Sequence, residues 1–451
     1  MSVYENEETL RDHGNADARA DMLTVGAHAV RAVHPETTVP SRVTVTGSTL
    51  DVDGVAYDLG DVDDVYVVGA GKGASHLVST LRSVLRTHLT EGLVVDKHGQ
   101  GTPVRDIALH ESGHPIPDDD GRLAGDAVTE LATAATADDL VFVCITGGAS
   151  AQLIAPPDGV STDDLAALTK TLLNAGLPIH EINTVRKHVS EIKGGRLARL
   201  VAPARLVTLV LVDEVAGEPW GPTVGDDTTF ADAVAILRRH GLWTATPASI
   251  RDYLQRGADG SVPETPAPDA LRRDDSQVVV LGDATDLCDA AAAKAAELGY
   301  NTRVLSSVLE GESRDVGVVL AGVAAEIDRR DRPLEPPCVL VSGGETTVTV
   351  GDDPGRGGPN QELAVQFATR VAGLDGVTLL SLGTDGTDGP TTVAGGLVDD
   401  GTAARAADLG VDLSAHVARH DTTTALERLG DAVVTGATGT NVMDLRLLAV
   451  R

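Results

Sequence analysis

Three of the six lysines in the chain, Lys72, Lys187 and Lys193, lie in or beside glycine-rich segments, although the chain otherwise prefers arginine. A compact ammonium is suited to neutralising a phosphoryl group during its transfer. The segment around Lys72 reads Gly-Ala-Gly-Lys-Gly over residues 69–73 and follows an apolar run. We therefore predict a phosphate-handling turn that contains Gly71 and a catalytic Lys72.

This turn matches neither of two common phosphate-binding motifs. In a P-loop, Ser or Thr follows the lysine, whereas Gly73 follows Lys72 here. The dinucleotide fingerprint is only imperfectly matched, because this chain has Ala74 where the third glycine usually stands. A purely structural turn is therefore the alternative interpretation.

A second group of cations lies in the sequence NTVRKHVSEIKGG. On a helix, one face would carry four of its residues, namely Asn183, Arg186, Ser190 and Lys193. Three cations within eight residues reverse the local charge of a chain whose net charge is −31. We predict that Arg186 and Lys193 act in catalysis. The residues predicted to bind an anionic substrate are Asn183, Lys187 and Ser190, with a solvated basic face as the alternative.

Glycine-rich turns follow four of the apolar runs. In an open α/β sheet such turns border the ligand crevice, and their backbone N–H groups favour anions. Their recurrence in both halves of the chain predicts a ligand that carries phosphate. Besides Gly71, the residues predicted to bind nucleotide or phosphate are Gly147, Gly148, Ser150, Gly343, Gly344, Glu345 and Thr346.

One of these turns, Gly-Thr-Asp-Gly-Thr-Asp-Gly, carries two carboxylates that could serve a metal. Mg²⁺ prefers one or two carboxylates together with phosphate oxygens and water, so Asp385 and Asp388 are predicted ligands. Asp213 and Glu214, at the end of another apolar run, are rival ligands. Aspartates are also common in glycine-rich turns because their side chains stabilise the turn, so a purely structural role is the alternative interpretation.

The sequence GRGGPNQE begins a predicted helix, with Pro359 near its first turn. Its residues Arg356, Asn360 and Glu362 are predicted to bind substrate. A loop followed by a helix cap is the alternative.

The string His110-Glu-Ser-Gly-His114 matches the H-E-x-x-H motif of zinc hydrolases. That chemistry requires a helix on which both imidazoles share a face. Gly113 and Pro115 oppose a helix here. We predict a loop in which His114 is either a structural hydrogen-bonding residue or lines the ligand cleft.

The elements that position these residues alternate between short β-branched runs and longer amphipathic stretches. This alternation predicts an α/β fold with a mostly parallel sheet. The predicted strands are Val65–Val68, Leu93–Val95, Leu140–Ile145, Leu206–Val212, Val278–Leu281, Val339–Val341 and Thr378–Ser381. The predicted helices are Ala70–Arg86, Arg122–Ala135, Thr162–Asn174, Thr229–His240, Leu287–Glu297, Asp315–Arg329 and Gln361–Arg370.

The length of 451 residues predicts two large or three small domains. Residues 256–276 are rich in proline, glycine and charge, which is typical of a linker. We place the boundary near Asp275, which gives domains of residues 1–275 and 276–451.

Composition narrows the classes of function. A net charge of −31 repels phosphate backbones and anionic lipids, which opposes a nucleic-acid or membrane-surface protein. No apolar run spans a bilayer, no signal peptide is evident, and three widely spaced cysteines favour a reducing cytoplasm. Excess carboxylate with scarce lysine predicts a halophilic protein, because concentrated salt screens self-repulsion.

Taken in order, these motifs resemble those of the glycerate 2-kinases of the MOFRL type. The resemblance is carried by segments between about residue 65 and residue 444: Gly69–Gly73, His114–Asp118, Thr146–Ala151, Asn183–Gly195, Gly221–Thr223, Ser342–Thr346, Gly357–Glu362, Gly383–Pro390 and Thr438–Asn441.

The resemblance implies ATP- and Mg²⁺-dependent phosphorylation of D-glycerate to 2-phospho-D-glycerate. It implies a cleft between a Rossmann-like, doubly wound amino-terminal domain and a smaller α/β MOFRL domain. The last segment of the chain is then expected to pack back on the first domain. The resemblance also implies that Lys72 is essential. D-glycerate and nucleotide are the expected ligands, and a homodimer is one possible assembly.

Two departures from the family pattern matter. The family reads Gly-Gly-Arg-Asn-Gln-Glu with a functional arginine where this chain has Pro359, which leaves Arg356 as a substitute. The stretch from Val212 to Trp220 is shortened, which puts its phosphate and metal contacts in doubt. The alternatives are an NAD(P)-dependent hydroxypyruvate reductase, for which a clear catalytic set of histidine, carboxylate and arginine is missing, and a non-catalytic nucleotide sensor.

Overall fold

A computed structural model describes residues 3–211, 220–273, 275–351 and 354–451 of the chain. The chain forms two compact units. The central unit contains residues 38–211 and 220–281. The terminal unit contains residues 3–37 and 282–451 and so combines the amino-terminal and carboxyl-terminal segments.

The helices have these bounds: α1 Glu7–Arg11, α2 Ala16–Ala32, α3 Pro35–Arg42, α4 Ala74–Leu85, α5 Asp119–Ala134, α6 Ala149–Gln152, α7 Thr162–Asn174, α8 Ile179–Lys187, α9 Arg196–Val201, α10 Phe230–Arg239, α11 Ala248–Ala258, α12 Ala284–Glu297, α13 Ser313–Arg330, α14 Pro359–Val371, α15 Thr402–Asp408, α16 Leu413–Ala418 and α17 Thr422–Leu429. None of the helices that the structure describes is long and apolar enough to cross a membrane.

The strands have these bounds: β1 Val43–Thr46, β2 Thr49–Val52, β3 Val55–Asp58, β4 Val65–Ala70, β5 Glu91–Lys97, β6 Ile107–Ser112, β7 Leu140–Ile145, β8 Arg205–Leu211, β9 Ser276–Gly282, β10 Asn301–Ser306, β11 Gly311–Glu312, β12 Cys338–Gly344, β13 Thr346–Thr347, β14 Val377–Gly383, β15 Gly395–Asp399, β16 Ala432–Val433 and β17 Asp444–Val450.

The main sheet of the central unit has the strand order β6-β5-β4-β7-β8-β9. Strands β4 to β8 are parallel to their neighbours, and every residue of β7 is buried, as expected for a parallel sheet covered on both faces. Numbered within this sheet, the order is 3-2-1-4-5-6. The strand order reverses between β4 and β7, and ligands of open α/β sheets bind at the carboxyl ends of the strands at such a switch point.

The terminal unit contains a mixed sheet with the order β10-β12-β17-β14-β15-β16. Only β10 and β12 pair in parallel, and the other neighbours in this sheet pair antiparallel. The last strand, β17, lies between β12 and β14, so the last segment of the chain is central to the sheet of this unit, which corrects the expectation that it packs back on the first domain. The apolar face of α14 packs in the core beneath the sheet.

Each of the predicted strands and helices is present, which confirms the α/β class, although Val212 lies outside the described residues. The helix predicted from Ala70 begins only at Ala74, because β4 extends to Ala70 and a glycine turn follows it. Periodicity did not reveal β6, β10, β15 and β17.

Residues 3–37 belong to the terminal unit, which corrects the predicted domain of residues 1–275. The buried guanidinium of Arg19, on α2, donates to Asp399 at 2.7 Å and to Asp431 at 2.6 Å. A buried cation requires such carboxylates, and these lie some 400 positions away along the chain. Local sequence patterns carry no information about that pairing.

The predicted linker, residues 256–276, is part of the central unit. Thr265 is buried, the Asp226 backbone N–H donates to the Pro266 carbonyl at 2.9 Å, and β9 begins at Ser276. Proline and glycine indicate a backbone with special turn geometry. They do not indicate whether that segment is an exposed linker or is packed in a domain. The boundary between the units therefore lies near Gly282 rather than near Asp275.

Candidate functional site

The turns that follow β4 and β7 are joined at the switch point. The backbone N–H of Lys72 donates to the Gly147 carbonyl at 2.8 Å, and Thr146 Oγ1 donates to the Lys72 carbonyl at 2.9 Å. Gly71 has a φ of +123°, and a Cβ atom there would lie 2.2 Å from the Thr146 carbonyl oxygen. Only glycine fits such an approach. This packing accounts for Gly71 without a ligand, and its predicted phosphate contact stays a prediction.

A buried carboxylate that sequence reasoning missed organises the Lys72 turn. Asp96, near the end of β5, accepts hydrogen bonds from the Gly73 N–H at 3.1 Å, the Ser75 N–H at 3.2 Å and the Ser75 hydroxyl at 2.7 Å. These donors lie at the start of α4. A signal was present, because an acidic residue about 20 positions after a glycine-rich turn is part of the dinucleotide-binding pattern.

The side chains of Lys72 and His114 meet at the second turn. A Cβ atom on Gly148 would lie 3.3 Å from Lys72 Cγ and 3.0 Å from His114 Cδ2. His110 lies within β6, so the H-E-x-x-H string is not helical, as predicted. His114 thus lines the turn that carries Gly147 and Gly148.

A pocket in the central unit adjoins this turn, and we call it the Lys193 pocket. It contains two cations and three hydroxyls beside an apolar wall. Its lining residues are Pro117, Ser150, Ala151, Ile154, Ala155, Leu165, Leu168, Thr169, Arg186, Val189, Ser190 and Lys193. Of the predicted residues, the pocket therefore brings Ser150, Arg186, Ser190 and Lys193 together.

The two cations of the Lys193 pocket have no acidic partner among the residues that the structure describes. Lys193 Nζ donates to the Leu153 carbonyl at 2.7 Å, and among the described residues no carboxylate forms an ion pair with Lys193 or Arg186. Burial, together with the charge of Arg186, lowers the pKa of Lys193 from 10.5 to about 7. Burial also lowers the pKa of Arg186. An anion in the pocket would stabilise both charges.

The helical stripe predicted for Asn183, Arg186, Ser190 and Lys193 is wrong beyond Lys187, where α8 ends. The Ser190 hydroxyl accepts the backbone N–H groups of Ile192 at 3.4 Å and of Lys193 at 3.3 Å. Such a serine turn competes with helix formation. Arg186 and Lys193 nevertheless meet, because the chain turns back after α8.

Lys187 differs from the cations of the pocket. Its ammonium lies 2.6 Å from Asp226 Oδ1. Burial would raise the pKa of Asp226, but hydrogen bonds from Lys187 and Thr228 outweigh it and lower that pKa. This ion pair gives Lys187 a structural role, and the predicted substrate contacts of Lys187 and of Asn183 on α8 stay predictions.

In the terminal unit, the predicted glycine turn Gly343–Thr346 is tightly packed. Gly344 has a φ of +121°, and a Cβ atom there would lie 2.3 Å from the Leu309 backbone nitrogen. The Thr346 hydroxyl accepts from Ser313 Oγ and from Arg446, each at 3.0 Å. Glu345 is exposed, so it is the side chain of this turn most accessible to a ligand.

Asp388 caps the amino end of α14 instead of facing open space. Its Oδ1 accepts from the Asn360 N–H at 3.0 Å, and its Oδ2 accepts from the Gln361 N–H at 2.9 Å. Burial and the charge of Asp444 raise its pKa to about 7. Asn360 in turn accepts from the Ser381 hydroxyl at 2.6 Å. The contacts of Asp388 and Asn360 are structural, and their predicted roles toward metal and substrate stay predictions.

Asp385 is the more accessible metal candidate. A Cβ atom on Gly383 would lie 3.6 Å from Asp385 Oδ1 and 3.6 Å from Asp444 Oδ1, so two carboxylates converge beside β14. Asp385 Oδ1 also accepts from the Thr387 N–H at 2.8 Å. The rival ligand Asp213 and its neighbour Glu214 lie outside the described residues.

The remaining predicted substrate ligands, Glu362 and Arg356, contact protein groups. Glu362 Oε2 lies 2.8 Å from His420 Nδ1. Its Oε1 is buried and has no hydrogen-bond partner among the described residues, and burial raises the pKa of Glu362. Arg356 forms an exposed pair with Glu427 at 3.1 Å. These contacts leave the predicted substrate roles of both residues as predictions.

Together, the parallel sheet, the joined turns at its switch point and the cationic pocket beside them define an α/β protein built to bind a small anion. A family model described as "Domain of unknown function (DUF4147)" matches residues 21–255, and one described as "MOFRL family" matches residues 338–444. The glycerate 2-kinase of Pyrococcus horikoshii is 37% identical over 439 residues, which cover 96% of this chain and 98% of that protein. The chain therefore belongs to the glycerate kinase family with a MOFRL domain.

A solved structure and a differently named relative complete the comparison. The crystal structure of a glycerate kinase from Thermotoga maritima matches with a TM-score of 0.79 and 35% identity, over 95% of this chain and 98% of that chain. A protein of Agrobacterium vitis named "Putative hydroxypyruvate reductase" is 37% identical over 85% of this chain and 86% of its own length. Relatives of this chain therefore carry both the glycerate kinase name and the hydroxypyruvate reductase name.

Proposed function

We propose that this enzyme is a glycerate kinase that transfers the γ-phosphoryl group of ATP to the 2-hydroxyl of D-glycerate. The observation that carries the proposal is the pair of half-buried cations, Arg186 and Lys193, that line the pocket beside the turns that hold Lys72. In a chain of net charge −31, such a pair is retained where an anion binds. The strand order 3-2-1-4-5-6 supports a Rossmann-like central unit.

Phosphoryl transfer depends on positioning and charge stabilisation more than on covalent chemistry. The oxygen of the 2-hydroxyl attacks the γ-phosphorus, the bond to ADP breaks and the hydroxyl proton is released. Lys72 would neutralise the group in transfer. The backbone of Gly147 and Gly148 and the hydroxyl of Ser150 would contact the nucleotide phosphates.

The Lys193 pocket would hold the acceptor. Arg186 and Lys193 would bind the glycerate carboxylate, while Ser190 orients the turn that carries Lys193. Both cations gain a partner on binding, so part of the cost of burying them is recovered. In the terminal unit, Glu345 is the exposed side chain of the turn Gly343–Thr346, and the predicted nucleotide contact of this turn stays a prediction.

Two carboxylates fit the donor set that Mg²⁺ prefers. Asp385 and Asp444 converge beside Gly383, whereas Asp388 uses both of its oxygens to cap α14. Asp385 and Asp444 would therefore hold the metal. A bound Mg²⁺ supplies charge neutralisation at the phosphate oxygens.

The contacts at the amino end of α4 oppose the alternative function, an NAD(P)-dependent hydroxypyruvate reductase. In dinucleotide-binding folds the pyrophosphate sits at the amino end of the first helix, and an acidic residue reaches the ribose. Here that acidic residue, Asp96, is buried and bonds to the first turn of α4 itself. Both subsites of a nicotinamide dinucleotide are thereby lost.

Incubation with ATP, Mg²⁺ and D-glycerate in concentrated KCl tests the proposal. Phosphorus NMR should show 2-phosphoglycerate and ADP, and L-glycerate is the matched control substrate. Loss of NADH absorbance with hydroxypyruvate would instead support the reductase. ATP binding without any product would support the nucleotide sensor.

The state of the cysteines and the composition support two further parts of the proposal. The three cysteines are buried and unpaired, which fits a reducing cytoplasm. The excess of 67 acidic over 36 basic residues supports adaptation to salt, so melting temperature and activity should both rise with KCl. A homodimer is the proposed assembly, and light scattering in KCl measures it.

A further inference from the structure

We propose that Asp96 is a positioning residue for Lys72, and that its carboxylate occupies the place at the amino end of α4 that a bound phosphate takes in nucleotide-binding folds. The inference rests on the proposed function, because it assumes that Lys72 acts on the phosphoryl group.

Asp96 is fully buried, and donors surround both of its carboxylate oxygens. Oδ1 accepts from the Gly73 N–H at 3.1 Å and from the Lys97 N–H at 2.8 Å. Oδ2 accepts from the Ser75 N–H at 3.2 Å and from the Ser75 hydroxyl at 2.7 Å. The positive end of the α4 dipole therefore already has its anion. A phosphate placed there would meet a negative charge.

This arrangement holds Lys72 from both sides. Before it, Gly71 packs against Thr146, and the Lys72 N–H itself donates to the Gly147 carbonyl. After it, the Gly73 N–H is held by Asp96. The backbone that carries the lysine is thus fixed before any ligand arrives, and a preorganised cation needs no rearrangement during transfer.

The second consequence concerns the nucleotide. With the amino end of α4 closed, the α4 turn presents the lysine side chain to the phosphates and not a ring of backbone N–H groups. The Gly147–Gly148 turn is the part of the switch point that remains for backbone contacts. Because of Asp96, the two turns therefore have different roles: the turn before α4 presents Lys72, and the Gly147–Gly148 turn binds phosphate.

A double-mutant cycle tests the inference. In Asp96→Asn the amide can accept from only one pair of donors, and its NH₂ group faces the other pair. Lys72 should then be misplaced, and kcat should fall on the order of 100-fold, the loss that a displacement of about 1 Å can cause. The KM for glycerate should stay within about threefold, because the Lys193 pocket is untouched.

The cycle separates positioning from a merely structural effect. If Asp96 acts through Lys72, Asp96→Asn added to Lys72→Met should lower kcat no further than Lys72→Met alone. Multiplicative losses in the double variant, or a wild-type kcat in Asp96→Asn, would overturn the inference. Should Asp96→Asn not fold, Ser75→Ala removes one hydroxyl bond, and the same cycle applies to its smaller loss.

Asp139→Asn is the matched control. Asp139 is a buried aspartate just before β7, and it accepts from the Thr136 N–H at 2.7 Å and the Asp64 N–H at 3.2 Å. It lies at the opposite end of the same sheet, so its variant should melt earlier with unchanged kcat. A comparable kcat loss in Asp139→Asn would assign both effects to stability and overturn the inference. If the wild-type enzyme showed no activity with glycerate, the proposed function itself would be wrong. If the enzyme were active but the double-mutant cycle contradicted the inference, only the inference would be wrong.

Discussion

Cations that are buried or half-buried occur in both units, and their partners differ. In the terminal unit, Arg19 and Arg405 face the buried carboxylates of Asp399 and Asp431 at 2.6–3.0 Å. In the central unit, Arg186 and Lys193 line a pocket without an ion-paired carboxylate among the described residues.

Under the proposed function, this difference separates the cations that stabilise the fold from the cations that bind a ligand. Burial alone would raise the pKa of Asp399, but the charges of Arg19 and Arg405 lower it, so that network is neutralised from within. Lys193 instead has its pKa lowered by burial and by Arg186. A charge that is removed from water without an ionic partner lowers the stability of the fold. Such charges are typical of functional sites, where a bound anion can supply the missing partner.

The largest expected effect is on stability, in the compensated network. Arg19→Met leaves two buried carboxylates short of a partner and should lower the free energy of unfolding by about 3 kcal/mol, the low end for a broken buried pair because Arg405 remains. Urea unfolding in KCl measures it. The control is Arg11→Met, which removes an exposed pair with Glu7 and should cost about 1 kcal/mol or less. Equal losses in the two variants would contradict the comparison.

The uncompensated site should show the opposite pattern. Lys193→Met should lower kcat/KM for glycerate about 10²- to 10³-fold, the usual loss for one well-placed charged donor. Its free energy of unfolding should be unchanged or higher, because an unpaired buried charge is removed. Steady-state kinetics and urea unfolding of the same preparation check both.

Lys187→Met is the matched control for Lys193→Met. It breaks the ion pair with Asp226 and leaves that buried carboxylate uncompensated, so stability should fall while kcat/KM changes little. If Lys187→Met lost activity and kept its stability, the assignment of the two lysines would have to be exchanged.

The lowered pKa of Lys193 predicts a pH dependence. The protonated ammonium binds the anion, so kcat/KM should fall above pH about 7, by up to about tenfold per pH unit. Lys193→Arg should flatten the profile, because a guanidinium stays charged. A profile of the same shape in Lys193→Arg would assign the slope to another group.

Stability should change with pH in the other direction. The pKa of Lys193 is lower in the folded state than its usual 10.5, so between pH about 7 and 10.5 the unfolded chain binds more protons. The contribution of Lys193 to the free energy of unfolding therefore rises with pH in this window. Urea unfolding of the wild type and of Lys193→Met from pH 7 to 10 measures this contribution as the difference between their free energies of unfolding.

Sequence patterns predicted what is local. Helix α7 occupies the predicted residues 162–174, because Ser161 and Asp164 form a capping box and the apolar period is regular. The four glycine turns were found for the same reason, since close approach and positive φ leave their mark on residue type.

Long-range and competing interactions account for what was missed. The pairing of Arg19 with Asp399 spans 380 positions, and no local pattern encodes it. The stripe through Lys193 had helical spacing, yet Ser190 bonds the backbone and turns the chain. Asp96 was overlooked because its partners, Gly73 and Ser75, belong to a different element.

The smallest expected effect concerns Arg356, which the sequence predicts as a substitute for the family's arginine but whose contacts favour a structural role. Its guanidinium pairs with Glu427 at 3.1 Å, and both side chains are largely exposed. An exposed pair contributes about 1 kcal/mol or less, so Arg356→Ala should barely change unfolding and should keep kcat within about twofold. Glu427→Ala is the control, since it breaks the same pair but keeps the cation. If Arg356→Ala lost activity while Glu427→Ala kept it, Arg356 would serve the substrate despite having a partner. The presence of a carboxylate partner would then no longer separate structural cations from functional ones.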